Sequence, residues 1–326
     1  MSLKISKVSK KYGDQWILRD VSLEVLRGEI FGLLGANESG KTTALEIIAG
    51  LEKADAGKIF FDDRDLTDSA KREFCFIRAS DEETSVWKNI FFKNILKMKD
   101  FSEGVKQKVS FEKSLFEARN VLLLDEPFVS FDRQRREEAF EKLRRTVKEK
   151  DLTVILSLND DAETFAVCER VGVLHNGEII QIGTPRELYE KPDSVSVAAA
   201  LGRCNFIEAM RVSFNNQIAP EFQTLKGEHR LQPDKTAKKL PGAINAPVTL
   251  AVRPEHISIS FGASFPEDNL LKAKISNIHY RGATTLIELD ANGLLLEALV
   301  LRLVGLNIGD ECMVGLPPDR IQVLKD

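Results

Sequence analysis

The chain has 326 residues, and 46 Lys and Arg against 50 Asp and Glu leave a net charge of −4. Its 43% hydrophobic and 29% charged residues suit a globular protein with a sizeable core, and its length suggests about two domains. The mild acidity argues against bulk affinity for nucleic acid. The longest apolar stretch, residues 293–306, is broken by Glu297 and Arg302 and falls short of the roughly 18 apolar residues of a membrane span. Residues 1–6 alternate polar and apolar side chains without a signal-peptide block, so export is not expected. Cys75, Cys168, Cys204 and Cys312 lie far apart, without disulfide-scaffold density or metal-ligand spacing, which fits a reducing cytosol.

Residues 3–8 alternate as an edge strand would, and residues 28–34 form a short apolar run after which a glycine-rich turn begins. Residues 41–51 read as a helix with Ala44, Ile47, Ile48 and Leu51 on one face. The apolar run 121–124 ends in two acids and a proline, and a charged helix over 133–150 follows. A third run, 153–158, precedes a helix over 161–170. Continuous apolar strands alternating with helices predict a parallel sheet covered on both faces. Past Gly202 the texture changes. Residues 214–247, with Pro220, Pro233 and Pro241, read as long loops with one or two short strands. Short strands at 249–252, 257–260, 272–278, 284–289, 294–301, 311–314 and 320–324 then predict a small barrel. The expected division is residues 1–202 and 203–326.

Gly35-Ala36-Asn37-Glu38-Ser39-Gly40-Lys41-Thr42 matches the phosphate-loop pattern G-x-x-x-x-G-K-[ST] between a strand and a helix. Its glycines let successive backbone N–H groups face phosphate oxygens, and the helix beginning at Lys41 adds the positive end of its dipole. Lys41 is expected on the β- and γ-phosphates of ATP and Thr42 on Mg²⁺, with Thr43 beside them in the nucleotide site. Asp125 and Glu126 follow a buried strand, where uncompensated charge is costly. Asp125 is expected to hold Mg²⁺ through water, and Glu126 to polarise the attacking water.

These segments and their spacing resemble the nucleotide-binding subunit of ATP-binding cassette (ABC) transporters. The resemblance implies an ABC-type P-loop NTPase fold. Tyr12 takes the position of the family's adenine-stacking aromatic, and Asp132, in Val129-Ser130-Phe131-Asp132, that of its D-loop aspartate at the subunit interface. Residues 176–185 look like the strand pair that closes the domain. Residues 204–208 and 252–257 are similar to segments of the accessory OB-like barrel called TOBE, found on importers of the maltose, polyamine and ferric-iron type.

The pattern is incomplete. Where the family has L-S-G-G-Q, this chain has Phe101-Ser102-Glu103-Gly104-Val105; Ser102 and Gly104 keep the positions that meet ATP held by a second subunit, while Glu103 brings a negative charge. Arg78 stands where the family has its Q-loop glutamine, and an arginine cannot ligate a metal. Ser102 follows Arg78 by only 24 residues, so the helical subdomain is shortened. Asn159 replaces the switch histidine; it can donate one hydrogen bond to the γ-phosphate but carries no charge. The resemblance implies an ATP-hydrolysing subunit that energises an importer at the inner face of the cell membrane. It would work as an ATP-sandwich homodimer with membrane permease subunits and without nucleic acid. The alternative is an ATP-binding regulatory module with impaired hydrolysis.

Overall fold

A computed structural model describes residues 2–67, 74–78, 103–213, 220–233, 244–261, 268–301 and 305–324. Ser102 and the expected shortened subdomain lie outside them. The chain forms two compact units, Met1–Leu188 and Tyr189–Asp326. Among the described residues no helix is long and apolar enough to cross a membrane.

The first unit runs β1 (Ser2–Tyr12), β2 (Gln15–Leu26), β3 (Ile30–Leu34), α1 (Lys41–Ile48), β4 (Ala56–Phe61), β5 (Arg64–Asp65) and β6 (Phe74–Arg78). It continues with α2 (Glu103–Glu117), β7 (Val121–Asp125), α3 (Arg133–Lys150), β8 (Thr153–Leu158), α4 (Asp161–Val167), β9 (Arg170–His175), β10 (Glu178–Gly183) and α5 (Pro185–Glu190), the last crossing the junction. One sheet is antiparallel, ordered β2-β1-β4-β5, and a second has the order β10-β9-β3-β8-β7-β6. In the second, β9, β3, β8, β7 and β6 are parallel, and every residue of β3, β7 and β8 is buried. That is the burial expected of strands covered on both faces, and it accounts for their unbroken apolar runs.

The structure corrects the placing of residues 3–8. Strand β1 pairs with β2 on one side and β4 on the other, so it is internal to its sheet. Its alternation arises because Leu3, Ile5 and Val8 enter the core with Val21, Leu23 and Val25 of β2. Two helices are shorter than their periodicity suggests. Helix α1 stops at Ile48 because Gly50, at φ 70°, turns the chain out of the helix. Helix α4 stops at Val167 because residues from Arg170 onward are drawn into β9 beside β3.

The second unit contains α6 (Val195–Ala200), β11 (Asn205–Ser213), β12 (Glu221–Thr224), β13 (Arg230–Leu231), β14 (Pro247–Val252), β15 (Ser258–Ser260), β16 (Asn269–Tyr280), β17 (Thr285–Ala291), β18 (Leu294–Val300), β19 (Glu311–Leu316) and β20 (Gln322–Leu324). These strands form two five-stranded sheets, β13-β12-β11-β14-β20 and β15-β19-β16-β17-β18, around one core that includes Phe222, Leu250, Ile287 and Val314. This is the barrel-like all-β arrangement expected from the short strands. Residues 189–202 group with it rather than with the first unit: Ala198 packs on Ala251 and Leu324, and the buried Arg253 donates from Nη1 to the Ala198, Gly202 and Arg203 carbonyls at 2.9, 3.0 and 3.0 Å. The compact second unit therefore begins at Tyr189, ahead of the sequence-based division at 202/203.

Candidate functional site

Strands β3, β8 and β7 are parallel, so their C-terminal ends share one edge, the usual position of ligands in open α/β sheets. β3 leads into the Gly35–Thr42 turn, β7 ends at Asp125 with Glu126 next in sequence, and β8 carries Ser157 with Asn159 just past its end.

The turn tolerates little substitution. A Cβ on Gly35 would lie 2.3 Å from the Leu174 carbonyl oxygen and 2.7 Å from Ser39 Oγ. Gly40, at φ 105°, occupies the left-handed region that favours glycine and hands the chain to α1. Asn37 and Glu38 face solvent, while Ser39, Gly40 and Lys41 are buried. Thr42 and Thr43 are half-buried in the first turn of α1.

Lys41 Nζ donates to the Gly35 and Ala36 carbonyl oxygens, each at 2.8 Å. Burial pushes its ammonium below the ordinary lysine value, and the Glu126 and Asp125 carboxylates pull it partly back. Thr42 Oγ1 donates to Asp125 Oδ2 at 2.9 Å. Asp125 Oδ1 accepts from Ser157 Oγ at 2.6 Å, and the same hydroxyl accepts the Glu126 N–H at 2.8 Å. Glu126 has φ 50°, a conformation that L-residues rarely adopt and that neighbouring contacts must hold. Gln107 of α2 supplies one of them, its Nε2 donating to the Glu126 carbonyl at 3.3 Å, while its Oε1 accepts the Ser130 N–H at 2.8 Å. Asn159 Nδ2 donates to Glu126 Oε1 at 2.6 Å.

The structure thus brings together Lys41, Thr42, Asp125, Glu126 and Asn159. Two residues the sequence reading passed over, Ser157 and Gln107, hold the two acids. Ser157 had a legible signal, a hydroxyl inside an otherwise apolar buried strand, where it must find a partner. Gln107 had none, since its value depends on α2 packing over the 126–130 segment.

Three other candidates stand apart from this cluster in their contacts. Tyr12 is 47% exposed, with Lys10 Nζ 5.1 Å from its ring centre. Gly104, in the first turn of α2, lies against the Ser130 carbonyl, 2.9 Å from where a Cβ would stand. Asp132 caps α3 by accepting the Arg135 N–H at 2.9 Å.

The pocket suits a polyphosphate and a hard cation. Ser39 Oγ is buried with no hydrogen-bond partner among the described residues, and Lys41 Nζ donates to carbonyls of its own loop. Thr42 and Asp125 offer two oxygen ligands in mutual contact, the partial set with which Mg²⁺ is held when phosphates and water complete its shell. Among the described residues no preassembled cluster of three or more His, Cys, Asp or Glu exists to hold a metal without substrate.

Comparison with known proteins identifies the family. The ABC transporter family pattern matches residues 18–95 and the TOBE domain pattern residues 250–324. The spermidine/putrescine import ATP-binding protein PotA of Protochlamydia amoebophila is 32% identical over 85% of this chain and 83% of its own length. The sulfate/thiosulfate import ATP-binding protein CysA of Bacillus cereus is 31% identical over 90% of this chain and 88% of its own. Among solved structures, a nucleotide-free ATP-binding cassette from an ABC transporter superposes with a TM-score of 0.52 at 18% identity, covering 61% of this chain and 99% of that one. At that identity the likeness concerns the fold alone. On these grounds the chain belongs to the import-type ATP-binding subunits of ABC transporters that carry a C-terminal TOBE domain.

Proposed function

We propose that this chain binds and hydrolyses ATP to energise an ABC importer at the cytoplasmic face of the membrane. The observation that carries the proposal is the Thr42–Asp125 hydrogen bond at 2.9 Å, which joins the phosphate loop to the acid-bearing strand with Glu126 next in sequence. Relatives named as import ATP-binding proteins support a transport role over an uncoupled regulatory module.

Lys41 exchanges its two carbonyl partners for β- and γ-phosphate oxygens. The exchange is favourable because a partly desolvated ammonium gains more from an anion than from neutral carbonyls. The loop N–H groups and the Ser39 hydroxyl add hydrogen bonds that are geometrically fixed before the nucleotide arrives. Mg²⁺ at Thr42 and Asp125 would supply neutralising charge at the β- and γ-phosphates. Glu126 accepts the proton of the attacking water, and its backbone is held by Ser157 and Gln107. Asn159 fixes one Glu126 oxygen in place of the positive charge that a histidine would bring. Two chains would close over two nucleotides, with Ser102 and Gly104 of one facing ATP on the other, and closure would move membrane permease subunits.

Titration with a fluorescent ATP analogue tests the binding step: Lys41→Ala should abolish binding, and unchanged affinity would refute the assignment. Glu126→Gln should keep binding and lose steady-state turnover; turnover equal to the parent chain would remove Glu126 from its role.

A further inference from the structure

The end of β6 places a permanent cation in the part of the site where Mg²⁺ is expected. In the parallel β6–β7 pairing Arg78 lies beside Asp125. Its Nε forms an ion pair with Asp125 Oδ2 at 3.3 Å, on the oxygen that also accepts from Thr42 Oγ1. The other end of the guanidinium, at Nη2, is paired with Glu46 of α1. Glu46 stands one turn after Thr42, on the same face of that helix. The guanidinium therefore bridges the helix that follows the phosphate loop and the strand that carries the acid pair.

The charge balance gives this arrangement a consequence. In these contacts three carboxylates (Glu46, Asp125 and Glu126) stand against two cations (Arg78 and Lys41), so removing Arg78 raises the excess of negative charge from one to two. The larger that excess, the more a bound triphosphate depends on a divalent metal to offset the repulsion. Arg78 supplies a delocalised charge that does not titrate in any accessible pH range, fixed on two elements before nucleotide arrives.

We infer that Arg78 acts as a built-in counter-cation for the nucleotide phosphates, so that ATP binds this chain with little dependence on Mg²⁺. The inference rests on the nucleotide-site reading above.

The test uses the full chain and the fluorescent analogue mant-ATP, titrated in excess MgCl₂ and in excess EDTA. In the parent chain the two dissociation constants should agree within about threefold. Arg78→Gln should weaken binding in EDTA by about tenfold relative to MgCl₂, the scale of one lost charge-assisted hydrogen bond. Arg78→Lys, which keeps the charge without the planar fork, should stay near the parent ratio, while a purely structural role would leave the ratio unmoved in every variant. An unchanged ratio in Arg78→Gln, or an Arg78→Lys that behaves like Arg78→Gln, overturns the inference. Lys41→Ala separates the two levels. If the parent chain binds mant-ATP and Lys41→Ala does not, the site stands and the Arg78 variants alone decide. If the parent binds none, or no better than Lys41→Ala, the site reading and this inference fall together.

Discussion

The Ser157 hydroxyl holds both acids at once, donating to Asp125 Oδ1 and accepting the Glu126 N–H, in a strand position with no solvent exposure. Removing it leaves a buried backbone N–H and a carboxylate oxygen short of one partner each. An unsatisfied buried group of this kind costs about 1–3 kcal/mol. Ser157→Ala should therefore lower stability by that amount in chemical denaturation. It should also reduce kcat more than KM, because Glu126 loses part of what holds its φ of 50°. Equal kcat in the variant would show that Gln107 and Asn159 suffice to fix the glutamate.

At the scale of elements, the segment between Glu126 and α3 is pinned by aromatic packing. Phe128 and Phe131 meet Phe111 of α2 and Phe140 of α3 edge-on, at ring separations between 4.9 Å (Phe128–Phe140) and 6.2 Å (Phe111–Phe131). Lys150, at the end of α3, donates to the Leu115 and Phe116 carbonyls at 2.8 and 2.7 Å and so closes the C-terminus of α2. These contacts set where α3 begins, and Asp132 caps it. The cap gives Asp132 a local duty separate from the subunit interface that its sequence position suggests. Asp132→Ala should cost about 1 kcal/mol of stability, whereas Asp132→Asn should cost little, because both Asp and Asn serve as N-caps. If Asp132 also acts across a dimer through its charge, both variants should weaken ATP-dependent dimerisation in sedimentation, and only the alanine should lower the melting temperature.

At the scale of the molecule, the two compact units have separate cores, one around α1 and β3 and one around Phe222 and Leu250. Phe222 is fully buried among the barrel strands. Phe222→Ala should cost the second unit about 3–5 kcal/mol. Calorimetry should find that transition lowered, while mant-ATP affinity keeps its parent value. A matching loss of affinity would mean that the barrel core supports the nucleotide site.

The phosphate loop, the acid pair and the alternation of buried strands with helices were legible in the sequence, because each is a local pattern. The loop needs glycines at fixed offsets, and the covered strands need unbroken apolar runs such as residues 121–124. The interior place of β1 was not legible, since its alternation is the same whether one neighbour pairs with it or two. Nor were the duties of Ser157, Gln107 and Arg78, whose partners come from strands and helices distant in sequence. Local chemistry by itself determined the glycine turn of the phosphate-loop pattern, the acid pair after a buried strand and the β-rich C-terminal part. The tertiary structure alone decided which polar groups hold the acids and which cation faces them, because hydrogen bonds and ion pairs act over a few ångströms and only folding brings those residues that close.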